Sequence, residues 1–271
     1  MFKLFNIPNL FTASNMLCGI LAILLSLAGR IDLAPFPIFL GAIFDFFDGF
    51  LARILKQQSE LGKQLDSFAD MITFGLAPGI FMMILLIYVQ EGSVFYENSQ
   101  FDSQVIFDWL INLSQFKSQN YLPLVALFIP FMSMFRLAKF NIDTRQSVSF
   151  IGLPTPANTI FFTAFPLILA QVPNAKSDQL HLILAVFQPE VLIPIIILMS
   201  LFLVAEIPLF ALKLKHFGWK GNEIRYSYLT TCLLLIPFLL VWSIPIIVLL
   251  YIVLSVIENV FLKKKQNEIQ S

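Results

Sequence analysis

Apolar runs of about the length of a bilayer crossing alternate with short polar segments along nearly the whole chain. A membrane helix needs about 20 mostly apolar residues. On that rule the pattern predicts about eight spanning helices, roughly Thr12 to Gly29, Leu33 to Leu55, Lys63 to Tyr88, Tyr121 to Phe140, Thr155 to Gln171, Val191 to Leu212, Ser227 to Trp242 and Pro245 to Leu262. The last two form one apolar stretch interrupted by Pro237 and Pro245. Proline disfavours helix at the residue before it, which predicts a turn at Ser243 to Pro245. Phe2, Leu4, Phe5 and Ile7 around Lys3 read as a short interfacial segment, residues 1–11, lying on the membrane surface. Phe101 to Leu113 reads the same way on the outer face. A signal peptide is not expected, because Pro8, Asn9, Ser14 and Asn15 interrupt the first apolar run. The expected fold is an all-α polytopic integral membrane protein, one membrane domain over residues 1–271. It comprises a six-helix core over 12–212, then two additional helices and a basic tail over 213–271.

Composition agrees with this pattern. Hydrophobic residues make up 58% of the 271, charged residues only 13%, and the mean hydropathy is +0.82. Soluble domains run near 45–50% apolar and about 25% charged. A disordered chain, a secreted disulfide scaffold and an ordinary soluble enzyme are therefore excluded. Cys18 and Cys232 lie in apolar runs and read as lipid-buried free thiols. Basic and acidic residues number 17 each, which gives no electrostatic case for a nucleic-acid partner.

The placement of the charges carries more information than their sum. With the N-terminus in the cytoplasm, the cytoplasmic side holds Lys3, Lys56, Lys63, Lys139, Arg145, Lys213, Lys215, Lys220, Arg225 and the Lys263 to Lys265 cluster. The outer side keeps Arg30, Lys117 and Lys176, together with the acidic Glu91, Glu97, Asp102 and Asp108. The positive-inside rule then places both termini in the cytoplasm. His181 and His216 lie in loops without metal-ligand company and read as solvated.

Four carboxylates break the apolar pattern. Asp45 and Asp48 fall in the second predicted span, followed by Arg53, and Asp66 and Asp70 fall in the third. An ionised side chain in a membrane helix costs at least about 2.5–3.5 kcal/mol and reads as functional by default. Asp45 and Asp48 stand about 60° apart around one helix, and Asp66 and Asp70 about 40° apart on the next. A short connection makes the two helices antiparallel neighbours, so all four carboxylates can converge near one end of a hairpin. Hard oxygen ligands without four cations nearby point to Mg²⁺ or Mn²⁺. Gly49, Ala52 and Gly62 lie one turn from the aspartates and leave room for a ligand or for helix packing. The competing readings are salt bridges to Arg53 and Arg136, and a proton or ion relay of the kind found in transporters.

Written out, the hairpin is Asp45-x2-Asp48-Gly49-x2-Ala52-Arg53-x8-Gly62-x3-Asp66-x3-Asp70, eight specified residues over 26 positions. This resembles the signature of the CDP-alcohol phosphotransferase family at every fixed position. The resemblance implies a CDP-linked lipid or alcohol bound at a two-metal site, attack by an acceptor hydroxyl and departure of CMP. It implies that Asp45, Asp48 and Asp66 are metal ligands. Asp70 matches the general base and is expected to touch a metal as well. It also implies that Gly49, Ala52, Arg53 and Gly62 line the nucleotide.

Three further segments resemble the phosphatidylserine synthase branch of that family: Ile7-Pro8-Asn9-Leu10-Phe11-Thr12 with Asn15 and Gly19, Phe135 to Asn141, and Gly152 to Ala157. The resemblance implies CDP-diacylglycerol and L-serine as substrates, with glycerol 3-phosphate, inositol or an inositol phosphate as the alternative acceptor for the same chemistry, a homodimer, and a bacterial cytoplasmic membrane with the site facing the cytoplasm. Asn9 and Thr12 read equally as helix caps and as nucleotide contacts. Arg136, Lys139 and Asn141 are candidate substrate contacts, with membrane anchoring the other reading for Lys139 and capping for Asn141. Glu206 and Glu258 lie in late spans without evident partners, Glu206 being near Lys213.

Overall fold

A computed structural model describes residues 5–91, 102–115, 118–143, 150–172, 175–210, 218–219 and 222–270. Lys3, Glu97, Lys117, Arg145, Lys213, Lys215, His216 and Lys220, which carry part of the charge bias, lie outside the described residues. So do Phe2, Leu4 and Phe101.

Helix α1 (Ile7–Leu27) is capped by Asn6, whose side chain accepts from the Asn9 N–H, and it carries Pro8 in its first turn. It starts at Ile7, so residues 7–11 of the expected interfacial segment are the first turn of the helix. Gly29, at φ 75°, turns the chain toward α2 (Pro35–Ile54). The two helices pack side by side, burying Ala22, Ala34 and Ile38 against Phe74 and Ala77. Their outer faces expose Leu17, Leu21, Phe36, Leu40 and Phe46, as a lipid-facing surface requires.

Ser59 caps α3 (Glu60–Asp70) by accepting from the Gly62 N–H at 3.0 Å. The helix widens to a π-helical turn over Met71–Leu76 and continues as α4 (Ala77–Gln90). Together they form one rod of 31 residues through the middle of the molecule. Phe81, Met82 and the run Ile84 to Tyr88 are buried there among the surrounding helices. An added Cβ on Gly79 would sit 2.6 Å from Pro130, so the glycine permits close approach of α6 (Phe128–Ile142). Between them, α5 (Ser103–Leu113) buries Ile106 and Trp109 while exposing Phe107 and Ile111.

Helix α7 (Thr155–Leu169) spans only 15 residues. Helices α8 (Ser177–Val186) and α9 (Pro189–Val204) meet at a 61° bend. A two-residue ribbon departs from the all-α expectation: β1 (Phe150–Ile151) pairs antiparallel with β2 (Pro208–Leu209). Such short strands leave no periodic signal in a sequence.

The final apolar stretch folds back on itself. Helices α10 (Glu223–Leu239) and α11 (Ser243–Gln270) bring Arg225 within 3.5 Å of Glu258, and the rings of Tyr228 and Tyr251 to 5.9 Å. A straight helix would hold residues 33 positions apart about 50 Å away from each other. The reversal occupies Leu240–Trp242, where Leu240 takes φ 49°, three residues before the expected turn. Pro245 instead lies in the first turn of α11, where a missing N–H costs nothing. Among the described residues, five helical stretches are long and apolar enough to cross a membrane, or six if the bent α8–α9 pair counts as one. The expected eight spans are not reached, because Glu223–Asn259 is one continuous apolar stretch despite its reversal at Leu240–Trp242, and α7 is only 15 residues long.

Candidate active site

The α1–α2 and α3 elements put the chemistry at one end of the bundle. On α2 the helical period brings Asp45, Asp48, Gly49 and Ala52 to one face, and α3 presents Asp66 and Asp70 from across the hairpin. One carboxylate oxygen from each of Asp45, Asp48 and Asp66 lies within 4.8 Å of the others. Thr12 on α1 donates to Asp48 Oδ2 at 2.6 Å, short enough for a charge-assisted hydrogen bond. Asp70, one turn beyond Asp66, is 9% exposed and accepts at Oδ1 from Asn15 Nδ2 at 3.1 Å. The Asn15 carbonyl in turn accepts from Thr73 Oγ1 at 2.8 Å. Gly19 makes that approach possible, since an added Cβ would meet Thr73 Cα at 2.6 Å.

The donor set fits a divalent cation. It consists of oxygens only, and Asp66 Oδ1 is buried without a hydrogen-bond partner. A buried carboxylate oxygen left unpaired is costly, and a cation satisfies it. None of the described ion pairs reaches the four aspartates. The salt-bridge reading is thereby corrected: Arg53 lines the adjoining cavity, and Arg136 is bound to backbone carbonyls elsewhere.

A cavity of about 590 Å³ opens beside the carboxylates. It is lined by Asn9, Thr12, Asp48, Gly49, Ala52, Arg53, Gly62 and Asp66, and so gathers every position the sequence assigns to a nucleotide. Pro8, Gln57, Gln58, Ser59, Glu60 and Lys63 complete the wall. Gln57, Gln58 and Ser59 escape a sequence reading because a connector has no period to say which way its side chains point, and Pro8, Glu60 and Lys63 sit in first helical turns, where the period has barely begun. An added Cβ on Gly49 would find nothing within 4 Å, so the space it leaves belongs to the cavity. Gly62 is tighter, with Ser59 Oγ at 3.2 Å and Asn9 Oδ1 at 3.3 Å from its added Cβ.

The three candidate substrate contacts on α6 do not line this cavity. Arg136 is 3% exposed and donates from Nε to Leu153 O at 3.0 Å and from Nη2 to Gly152 O at 3.4 Å. Lys139 pairs with Glu206 at 3.1 Å, which gives Glu206 a partner other than nearby Lys213. Asn141 donates to Ser67 Oγ at 2.8 Å, and its carbonyl accepts from Lys63 Nζ at 2.7 Å. Helix α6 runs antiparallel to the α3 rod, with Asn141 against Ser67 and Ser133 against Gly75. Arg136 therefore falls level with the first residues of the π-helical turn, within about a turn of Asp70.

Residues 5–202 match the CDP-alcohol phosphatidyltransferase family. The chain is similar to the CDP-diacylglycerol–serine O-phosphatidyltransferase of Bacillus subtilis (strain 168), with 34% identity over 169 residues, 60% of this chain and 80% of that relative. It is 32% identical over 159 residues to the enzyme of the same name from Helicobacter pylori (strain ATCC 700392 / 26695), covering 58% of this chain and 55% of the relative. It is also 31% identical over 161 residues to the archaetidylserine synthase of Methanothermobacter thermautotrophicus, covering 59% and 57%. The chain thus spans little more than half the length of the last two relatives.

Proposed function

This chain belongs to the CDP-alcohol phosphatidyltransferase family, and from that premise we propose that it transfers the phosphatidyl group of CDP-diacylglycerol to L-serine, giving phosphatidylserine and CMP. The observation that carries the proposal is the carboxylate cluster of Asp45, Asp48 and Asp66 opening onto a cavity whose lining includes Gly49, Ala52, Arg53 and Gly62. The serine acceptor is supported by the names of the relatives, including the archaetidylserine synthase.

Two divalent cations, Mg²⁺ or Mn²⁺, would be held by Asp45, Asp48 and Asp66, with Asp70 completing the set. When bound, they neutralise the diphosphate and stabilise the attacking and leaving oxygens. The chain's own residues do the rest. Gly49, Ala52 and Gly62 leave space for the cytidine nucleotide, Asn9 and Thr12 border it, and Arg53 and Lys63 add positive charge at the cavity wall. Thr12 fixes the Asp48 carboxylate by its 2.6 Å hydrogen bond. Asn15 fixes Asp70, which accepts the acceptor's hydroxyl proton as the new O–P bond forms and the P–O bond to CMP breaks. Arg136, buried at nearly the same depth, sets the anionic end of the acceptor. Lys139 and Asn141 act next to that end by holding α6 against Glu206 and α3.

The enzyme lies in a bacterial cytoplasmic membrane as a homodimer of eight-span protomers, with the carboxylates at the cytoplasmic side. The test is a headgroup assay on purified protein with CDP-diacylglycerol and Mg²⁺ or Mn²⁺. Serine, glycerol 3-phosphate and inositol are offered separately while CMP is followed. Release with serine is the expected result. Release only with another acceptor overturns the serine assignment and keeps the transferase, and no release with any acceptor overturns the transferase itself.

A further inference from the structure

The family match ends at residue 202, yet the chain beyond it is tied to the site by a continuous series of polar contacts. On the terminal hairpin, Tyr251 Oη donates to the Phe210 carbonyl at 2.9 Å, and Ser255 Oγ accepts from the Phe210 N–H at 3.4 Å. Asn259 Nδ2 donates to the Pro208 carbonyl. The Phe210 ring stacks edge-on against Tyr251 at 4.9 Å and Tyr228 at 5.8 Å. The hairpin therefore grips the strand segment 208–210 through its backbone and its one large ring.

That segment is strand β2 and the residue after it. The strand pairs with β1, and just past the ribbon the Gly152 N–H donates to Ile207 O at 2.9 Å. Gly152 takes φ +81°, with Leu203 O only 2.6 Å and Ala205 O 2.9 Å from an added Cβ, so its backbone is pressed onto the α9–β2 turn. The carbonyls of Gly152 and Leu153 are among the groups that hold the Arg136 guanidinium, which also lies 5.6 Å over the Phe140 ring. A side chain with five rigidly placed donors is oriented by whatever fixes its acceptors. Here the Leu153 N–H is held by Phe202 O of α9 at 2.8 Å, and the Gly152 side of the same turn is held by the ribbon, which α11 grips.

We propose that the C-terminal hairpin is a brace of the active site, in which Tyr251 and Asn259 are positioning residues that set the orientation of Arg136 through β2 and the Gly152–Leu153 carbonyls. The brace itself rests on geometry alone. Its consequence for the acceptor rests on the function proposed above. The hairpin thereby contributes to acceptor binding without touching substrate.

The test uses the full chain in detergent, comparing wild type with the pair Tyr251→Phe and Asn259→Ala. Hydrogen exchange of peptides covering residues 150–158 is expected to quicken by about ten-fold in the pair, the factor that two hydrogen bonds carry. Peptides of α1 and α2 should exchange as in wild type. With CDP-diacylglycerol saturating, the KM for serine should rise several-fold while kcat and the KM for CDP-diacylglycerol stay unchanged. A merely structural loss would lower kcat and the amount of active protein alike. Unchanged exchange at 150–158 overturns the brace whatever the activity does. Faster exchange with an unchanged serine KM overturns the positioning of Arg136. A wild type that releases no CMP with serine overturns the function proposed above and leaves exchange to decide the brace. Should the pair fail to fold, Tyr251→Phe alone removes one hydroxyl and no ring, and carries the same test at about a three-fold effect.

Discussion

Asp45, Asp48 and Asp66 form one cluster with Asp70 a turn away, and what holds three of these carboxylates separates their roles. Asp70 is pinned by Asn15, whereas Asp48 is pinned by Thr12 and Asp66 keeps a buried oxygen without a hydrogen-bond partner. Asp70→Asn keeps the shape and the Asn15 contact but cannot take a proton. CMP release should fall by about 10²–10⁴-fold, the contribution of a positioned base. Binding of a CDP-lipid analogue to the variant should persist, as equilibrium dialysis would report. Thr12→Val removes the donor to Asp48 at almost no change of volume. Outer partners of metal ligands are worth about 10–100-fold in metal affinity or activity. The Mg²⁺ concentration for half-maximal CMP release should rise by that order, and an unchanged value would show that Thr12 does not orient the ligand.

At the scale of elements, the site depends on how closely α1 approaches the π-helical turn. That turn begins immediately after Asp70, and Thr73 within it bonds to the α1 backbone. Gly19→Ala would place a methyl 2.6 Å from both Thr73 Cα and Thr73 Oγ1, so α1 must shift outward and draw Asn15 from Asp70. Overpacking of this kind costs about 1–3 kcal/mol. The variant should therefore show a lowered Tm in detergent together with reduced kcat, and a variant as stable and active as wild type would contradict the tight contact. The terminal hairpin offers a second test. Arg225 and Glu258 are partly buried, so their coupling is screened only in part. A double-mutant cycle with Arg225→Ala and Glu258→Ala should give a coupling of about 0.5–3 kcal/mol. A value of zero would mean that α10 and α11 do not lie side by side.

For the whole molecule, the proposed orientation puts the cavity and both chain ends on the cytoplasmic side. Cysteines replacing Lys63, at the cavity, and Lys265, in the tail, should both react with a membrane-impermeant thiol reagent only when it is given from the cytoplasmic side. One replacing Lys176 should react only from outside. Labelling of the Lys265 position from outside would remove one crossing from the eight-span arrangement. Much of this architecture is legible in the chain, because bilayer-length apolar runs have few ways to satisfy their backbone other than helix. The α3–α4 rod is a clear case: the span predicted from Lys63 to Tyr88 lies inside the observed Glu60–Gln90. The π-helical turn inside it is invisible in the sequence, since one extra residue in a turn leaves a mostly apolar run unchanged in character.

The sequence by itself determined which residues of the α2–α3 hairpin can meet. Spacing along two adjacent helices, with a connector too short for anything but a hairpin, lets Asp45, Asp48, Asp66 and Asp70 converge at one end with Gly49, Ala52 and Gly62 a turn away, and the family resemblance adds Arg53. Only the tertiary structure decided the residues that reach this site from distant parts of the chain. Thr12 meets Asp48 across 36 positions and Asn15 meets Asp70 across 55. Arg136, which its place at the end of the fourth predicted span suggests for substrate, is held by carbonyls that α9, a two-stranded ribbon and a C-terminal hairpin keep in place. Period and charge report on neighbours along one helix. The partners of a buried donor are chosen by packing between helices, which no local pattern records.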